Sequence, residues 1–222
     1  MVSIPKFIQK PDPTSNVAIC VPVRDLVTST FSYSLAMLMK KCGEKGQKVS
    51  LHMVMGSEVA MQRQQLVDEV LETQATHIFW VDSDMKFPVD ALFSLLSHKK
   101  DIVGANYSTR VKPHRPVAFK NETNLDKRVF GGNSVEEVFA LGSGLLLVNR
   151  CVYENIPRPH YSVEWNDDYT NLMGEDIYFC KKASTHGYIS HVDNQLSDRV
   201  AHIGTKEYTI KGDCYDWQNF NK

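Results

Sequence analysis

Apolar residues recur along the first half of the chain in short bursts that alternate between two periods. Asn16 to Val23 places β-branched residues at Val17, Ile19, Val21 and Val23, a period of two that predicts a strand ending at Arg24-Asp25. Leu26 to Cys42 carries Leu35, Leu38 and Met39 as a helical stripe, with Thr28 or Ser29 as the cap and Gly43 as the stop. A second strand is expected over Val49 to Met55. Ser57 then opens a second helix with Val67, Val70 and Leu71 on one face and Arg63 one turn earlier on that face. Ile78 to Val81 reads as a strand buried on both sides, Val89 to Ser97 as a short helix, and Asp101 to Ala105 as a fourth strand. Strand and helix alternating at this spacing predict an α/β fold with a doubly wound, mostly parallel sheet.

The second half is less regular. Tyr107 to Pro116 holds Arg110, Lys112 and Arg115 among prolines and reads as a loop at the rim. Gly131-Gly132-Asn133 predicts a turn, Val135 to Leu141 a strand, and Leu145 to Val148 another buried strand. Gly142-Ser143-Gly144 lies between them; it opens no helix, so its glycines signal close backbone approach rather than a dinucleotide fingerprint. Gly174-Glu175-Asp176 opens a helix that Gly187 ends, Tyr188 to Val192 is a last strand, and Ala201 to Gly204 carries His202. The tail, Tyr208 to Phe220, is aromatic and is expected to pack back on the body.

Composition narrows the class. The chain has 222 residues, 42% hydrophobic and 23% charged, with a formal net charge of -1, so it can bury a core as one domain and has no electrostatic footprint for nucleic acid or an anionic membrane. Five cysteines, none in a C-x-x-C pair, argue against a disulfide framework and a zinc site. No apolar run approaches a membrane span or a signal peptide. These features predict a cytoplasmic protein, in a host cytoplasm if its source is viral.

Two stretches carry candidate chemistry. Asp82 and Asp84 follow the apolar strand directly, one residue apart, and on an extended chain they would project to the same side. Such a pair repels itself unless a cation or a donor lies between, and the carboxyl edge of an α/β sheet is where ligands bind. Glu175 and Asp176 sit in a first helical turn, which the helix dipole alone would explain. Asp176, however, precedes the inward Ile177 and stands four before Cys180, on an inner edge where capping requires no acid. Tyr161 to Asn171, with Trp165, Asn166, Asp167, Asp168 and Tyr169, suits stacking on sugar rings and equally suits an exposed loop.

Taken in order, the segments V-A-I-C-V-P-V-R-D (Val17 to Asp25), Q-R-Q-Q-L-V (Gln62 to Val67), F-W-V-D-S-D-M-K-F-P (Phe79 to Pro88), D-I-V-G-A-N-Y (Asp101 to Tyr107), G-S-G-L-L-L-V (Gly142 to Val148), G-E-D-I-Y-F-C (Gly174 to Cys180) and A-H-I-G (Ala201 to Gly204) resemble the GT-A class of nucleotide-sugar glycosyltransferases, in particular family 2 and small phage-type members. The resemblance implies a GT-A type, Rossmann-like fold, with residues 1–105 as the nucleotide-binding half and 106–222 as the acceptor-binding and catalytic half. It implies that Pro22, Arg24 and Asp25 line the nucleotide pocket, and that Arg63 approaches the nucleotide. Gln62 and Gln64 stand where the family's A-R-N motif has alanine and asparagine. It further implies Asp84 and His202 as ligands of Mn²⁺ or Mg²⁺, Asp82 on the ribose or a metal-bound water, and Asp176 as the base of an inverting transfer with Glu175 beside it. The implied donor is a UDP- or GDP-sugar, and the acceptor is not identified. The alternative is a domain of the same fold that binds a nucleotide or a partner without turnover.

Overall fold

The computed structural model describes residues 15–122, 128–132, 134–165, 169–170, 172–204 and 206–213. The leader through residue 14, Asn133, Asn166 to Asp168, Asn171, Cys214 and the tail aromatics Tyr215, Trp217 and Phe220 lie outside them.

The first half runs β1 (Asn16–Val23), α1 (Ser29–Lys45), β2 (Lys48–Met55), α2 (Val59–Leu71), β3 (His77–Val81), β4 (Met85–Lys86), α3 (Ala91–Ser97) and β5 (Ile102–Gly104). The second half adds β6 (Ala118–Phe119), β7 (Val135–Val138), β8 (Ala140–Leu141), β9 (Leu145–Asn149), α4 (Arg150–Asn155), β10 (Glu164–Trp165), β11 (Leu172–Met173), α5 (Glu175–Thr185), β12 (Ser190–Asp193), α6 (Asn194–Ser197), β13 (Ala201–Ile203), β14 (Glu207–Tyr208) and α7 (Ile210–Asp213).

Seven strands form the central sheet in the order β2-β1-β3-β9-β5-β12-β7. β2, β1, β3, β5 and β12 run one way, while β9 and the edge strand β7 run the other. The sheet is therefore mostly parallel and sandwiched between helices. Alternate residues of β1 explain its double burial: Val17, Ile19 and Val21 face the core on the α1 and α3 side, Ala18 and Cys20 the core on the α2 and α5 side. Strands covered on both faces read as continuous apolar runs for this reason.

Two local expectations change. Helix α1 begins at the Thr28 cap, whose hydroxyl accepts the Phe31 N–H at 3.1 Å, but it passes through Gly43 and ends at Gly46, which takes a left-handed φ of 69°. The segment from Val135 to Leu141 is two strands: β7 pairs with β12, and β8 leaves to pair with β6. The mostly parallel sheet is as expected, with β9 from the second half inserted antiparallel between β3 and β5.

Candidate functional site

The acids following β3 occupy a turn rather than an extended strand. Val81 ends β3, and the Met85 N–H donates to the Asp82 carbonyl at 3.1 Å. Three neighbouring segments fix this turn. Asp82 N–H donates to Gly144 O at 3.0 Å, Thr28 N–H to Ser83 O at 3.3 Å, and Ile203 N–H to Asp84 O at 2.7 Å. The first-strand loop, the glycine loop before β9 and strand β13 thus all meet at the carboxyl edge of β3.

The side chains of the two acids go to different partners. Asp82 Oδ1 accepts from Nη2 of Arg63 at 2.7 Å, and Arg63 Nε donates to Glu175 Oε1 at 3.2 Å. Arg63 is 1% exposed; its guanidinium lies 5.2 Å from the Trp80 ring centroid and 6.0 Å from that of Tyr161. Burial works against the Arg63 charge, and Asp82 and Glu175 outweigh it, holding the guanidinium protonated. The arginine therefore joins the end of β3 to the start of α5 from beneath the site. Its Nη1 is buried and has no hydrogen-bond partner among the described residues.

Asp84 turns toward His202 and Arg110. Its Oδ2 lies 2.7 Å from Arg110 Nη1 and its Oδ1 3.3 Å from His202 Nε2. His202 reaches it because β13 pairs antiparallel with β4, setting His202 opposite Met85. Burial would raise the Asp84 pKa, and His202 and Arg110 outweigh it, so the carboxyl titrates below its usual range.

Glu175 and Asp176 open α5 behind Gly174. Asp176 Oδ1 accepts the Ile177 N–H at 2.7 Å. Burial, reinforced by the neighbouring Glu175 charge, raises the Asp176 pKa to about 7 against the pull of that hydrogen bond and of Arg63. Glu175, not Asp176, is the acid that binds the arginine.

Tyr107, which follows β5, links these groups. Its phenol accepts the Gly144 N–H at 3.0 Å, and its ring meets that of His202 edge-on with centroids 5.4 Å apart. Burial, then Asp82 and Asp176, push its pKa well above normal. The glycines at 142 and 144 make room for this phenol: a Cβ on Gly144 would come within 2.6 Å of the hydroxyl, and one on Gly142 would collide with it as well. Close approach was legible at Gly142-Ser143-Gly144; that a tyrosine fills the space was not, since no periodicity marks Tyr107. The Arg110 contact was equally hidden in a run of loop cations.

The remaining predicted residues lie at the end of β1, in the loop after it and on α2. Pro22 is buried within β1, while Arg24 and Asp25 are exposed in the loop after it, Asp25 Oδ1 accepting the Leu26 N–H at 2.9 Å. Gln62 ties β1 to β2 by donating to Val23 O at 2.6 Å and Val54 O at 2.7 Å. Gln64 accepts the His160 N–H at 2.7 Å. A groove of about 750 Å³ runs along the outer side of α2 between Val54–Glu58 and Pro159–Val163, off to one side of the carboxylates.

The donor set suits a hard cation only in part. Among the described residues no three His, Cys, Asp or Glu side chains converge as a metal cage. Asp84 Oδ1 and His202 Nε2, 3.3 Å apart, are the two donors there that could share one cation. His202 Nδ1 contacts the Ser108 carbonyl at 3.1 Å and must be the donor there, which leaves Nε2 as the nitrogen that faces Asp84. Cations that travel with nucleotides commonly take one or two protein carboxylates and complete their shell with phosphate and water.

No family model matches the chain, and no curated protein sequence does. The fold is similar to that of A197 from STIV, at 18% identity and a TM-score of 0.60 over 85% of this chain and 86% of that one. Looser likenesses are to the inositol-1-phosphate CTP transferase from T. maritima, at 17% identity, TM-score 0.46, over 81% and 85% of the two chains. Another is to S. aureus TarS 1-349, at 12% identity, TM-score 0.45, over 92% and 64%. At 18% identity the likeness to A197 is one of fold.

Proposed function

We propose that this chain transfers a sugar from a nucleotide-sugar donor to an acceptor hydroxyl. The observation that supports this reading is the meeting of Asp82, Asp84, Glu175, Asp176 and His202, drawn from three distant segments, around Tyr107 and the carboxyl edge of β3. Open α/β sheets bind their ligands at that edge.

In this reading Asp176 is the base. An acceptor hydroxyl is a weak nucleophile, and a carboxylate with a pKa of about 7 is well matched to take its proton near neutral pH. Attack from the face opposite the departing diphosphate inverts the anomeric centre. Arg63 holds Glu175 and Asp82 in place, and the exposed Arg24 and Asp25 border the nucleotide. Asp84 and His202 would hold a Mn²⁺ or Mg²⁺ ion, which supplies positive charge to a leaving diphosphate.

Asp176→Asn tests the assignment. It is expected to lower turnover of the donor by about 10²- to 10⁴-fold while donor affinity stays within a few fold, measured by released nucleoside diphosphate and by calorimetry. Turnover at the wild-type rate would remove Asp176 from the mechanism.

A further inference from the structure

Arg110 reaches Asp84 from the loop between β5 and β6. Its Nη1 also donates to the Ile203 carbonyl at 3.2 Å, and its stem lies over Gly204, where an added Cβ would stand 3.1 Å from Cδ. The loop that presents it is closed on itself. Thr109 N–H donates to Arg115 O at 2.8 Å, Arg115 N–H to Thr109 Oγ1 at 2.9 Å, and His114 Nδ1 contacts Thr109 O at 3.1 Å. The Arg110 side chain is 45% exposed, so it can swing away without unfolding its loop.

Both oxygens of Asp84 are thus addressed by positive or cation-seeking groups. Oδ2 carries the guanidinium at 2.7 Å, and Oδ1 lies 3.3 Å from Nε2 of His202, the two atoms that would share a cation. A divalent cation on Asp84 and His202 would bring two like charges together at one carboxylate. An exposed arginine pair is weak, so the guanidinium is the partner that yields.

We propose that Arg110 is a built-in counter-ion of Asp84 that a divalent cation displaces, and that the freed guanidinium then binds the phosphates of the arriving nucleotide. The inference rests on the metal-assisted reading above. Guanidinium suits this exchange because its planar fork matches phosphate oxygens as well as carboxylate. One side chain would serve the empty site as a neutralising charge and the loaded site as a phosphate clamp.

The test is binding rather than turnover. Mn²⁺ alone would be titrated into wild type, Arg110→Gln, Arg110→Lys and Asp84→Ala by electron paramagnetic resonance, and UDP and GDP by calorimetry with Mn²⁺ present. Melting temperatures would confirm that each variant folds. Arg110→Gln is expected to bind Mn²⁺ alone tighter, by about threefold, yet to bind the Mn²⁺-nucleotide several-fold more weakly; Arg110→Lys should fall between it and wild type. If Arg110→Gln leaves Mn²⁺ affinity unchanged or lowers it while Asp84→Ala abolishes binding, the role of Arg110 is overturned and the metal reading stands. If wild type binds no Mn²⁺, or Asp84→Ala binds it as wild type does, both fall.

Discussion

At the scale of single residues, the acids of the site hold their charge under different constraints. Asp176 titrates in the fold near 7, against about 3.9 for a free aspartate. Its contribution to stability is therefore fully present below pH 4, where folded and unfolded chains are both protonated, and is lost as pH rises through 7. Asp176→Asn removes that loss. The substitution should raise the melting temperature by about 2–5 °C at pH 8 and by little at pH 5, read from thermal denaturation at the two values. An equal shift at both would show that the carboxyl is not strained by its burial. Arg63 behaves oppositely, because its charge is matched. Arg63→Met would leave Asp82 and Glu175 without their shared partner and should cost about 3–5 kcal/mol in urea denaturation. Arg63→Lys should rescue little of it, since one ammonium cannot reproduce the fork that spans both acids. A cost below about 1 kcal/mol would mean that the two ion pairs do not order the site.

At the scale of elements, the sequence is legible where one physical cue dominates. The four strands that the first half gives the central sheet, and the helices between them, follow from apolar runs and periodicity, and the Thr28 cap from its hydroxyl. The end of α1 shows where such cues compete. Gly43 and Gly46 are both stop signals, but Gly46 is the one with a left-handed φ of 69°, its N–H turned back to Cys42 O and Gly43 O. Gly43 has open space where a Cβ would go. Gly43→Ala should therefore stabilise the protein by about 0.5–1 kcal/mol and Gly46→Ala destabilise it by about 1 kcal/mol, both measured by chemical denaturation. Opposite signs would place the helix end at Gly43. Pairing between distant segments was not legible. The two-residue strand β4 has no period to read, yet its pairing with β13 brings His202 to Asp84. Likewise, nothing local in Val135 to Leu141 says that the chain changes sheets at Phe139, whose N–H donates to Phe119 O at 2.9 Å.

At the scale of the whole molecule, the site is assembled by topology. β9 comes from the second half and lies between β3 and β5, so the glycine loop before it lands beside Asp82, and Tyr107 closes over that loop from the end of β5. α5, cored by Phe179, Cys180 and Ala183 on the α2 side of the sheet, delivers Glu175 to Arg63. Asp82 and Asp84 could be nominated from the sequence because a carboxylate pair directly after a buried strand is conspicuous, and Asp176 because it stands on the inner edge of its helix, whereas His202 was marked only by the resemblance of its A-H-I-G segment. Their division of labour could not, because it depends on which side chain reaches which: Asp82 to Arg63, Asp84 to Arg110 and His202, Glu175 rather than Asp176 to the arginine. Among the described residues no helix is long and apolar enough to cross a membrane, and the described cysteines are free thiols.

A nucleotide-sugar site built on Asp84 would show itself in calorimetric binding of UDP-, GDP-, CMP- and dTDP-sugars, with and without Mn²⁺, to wild type and Asp84→Ala. One nucleotide series is expected to bind wild type, Mn²⁺ to strengthen it at least tenfold, a gain of about 1.4 kcal/mol, and Asp84→Ala to lose that gain. Binding of no nucleotide under either condition, or equal binding by Asp84→Ala, would contradict it.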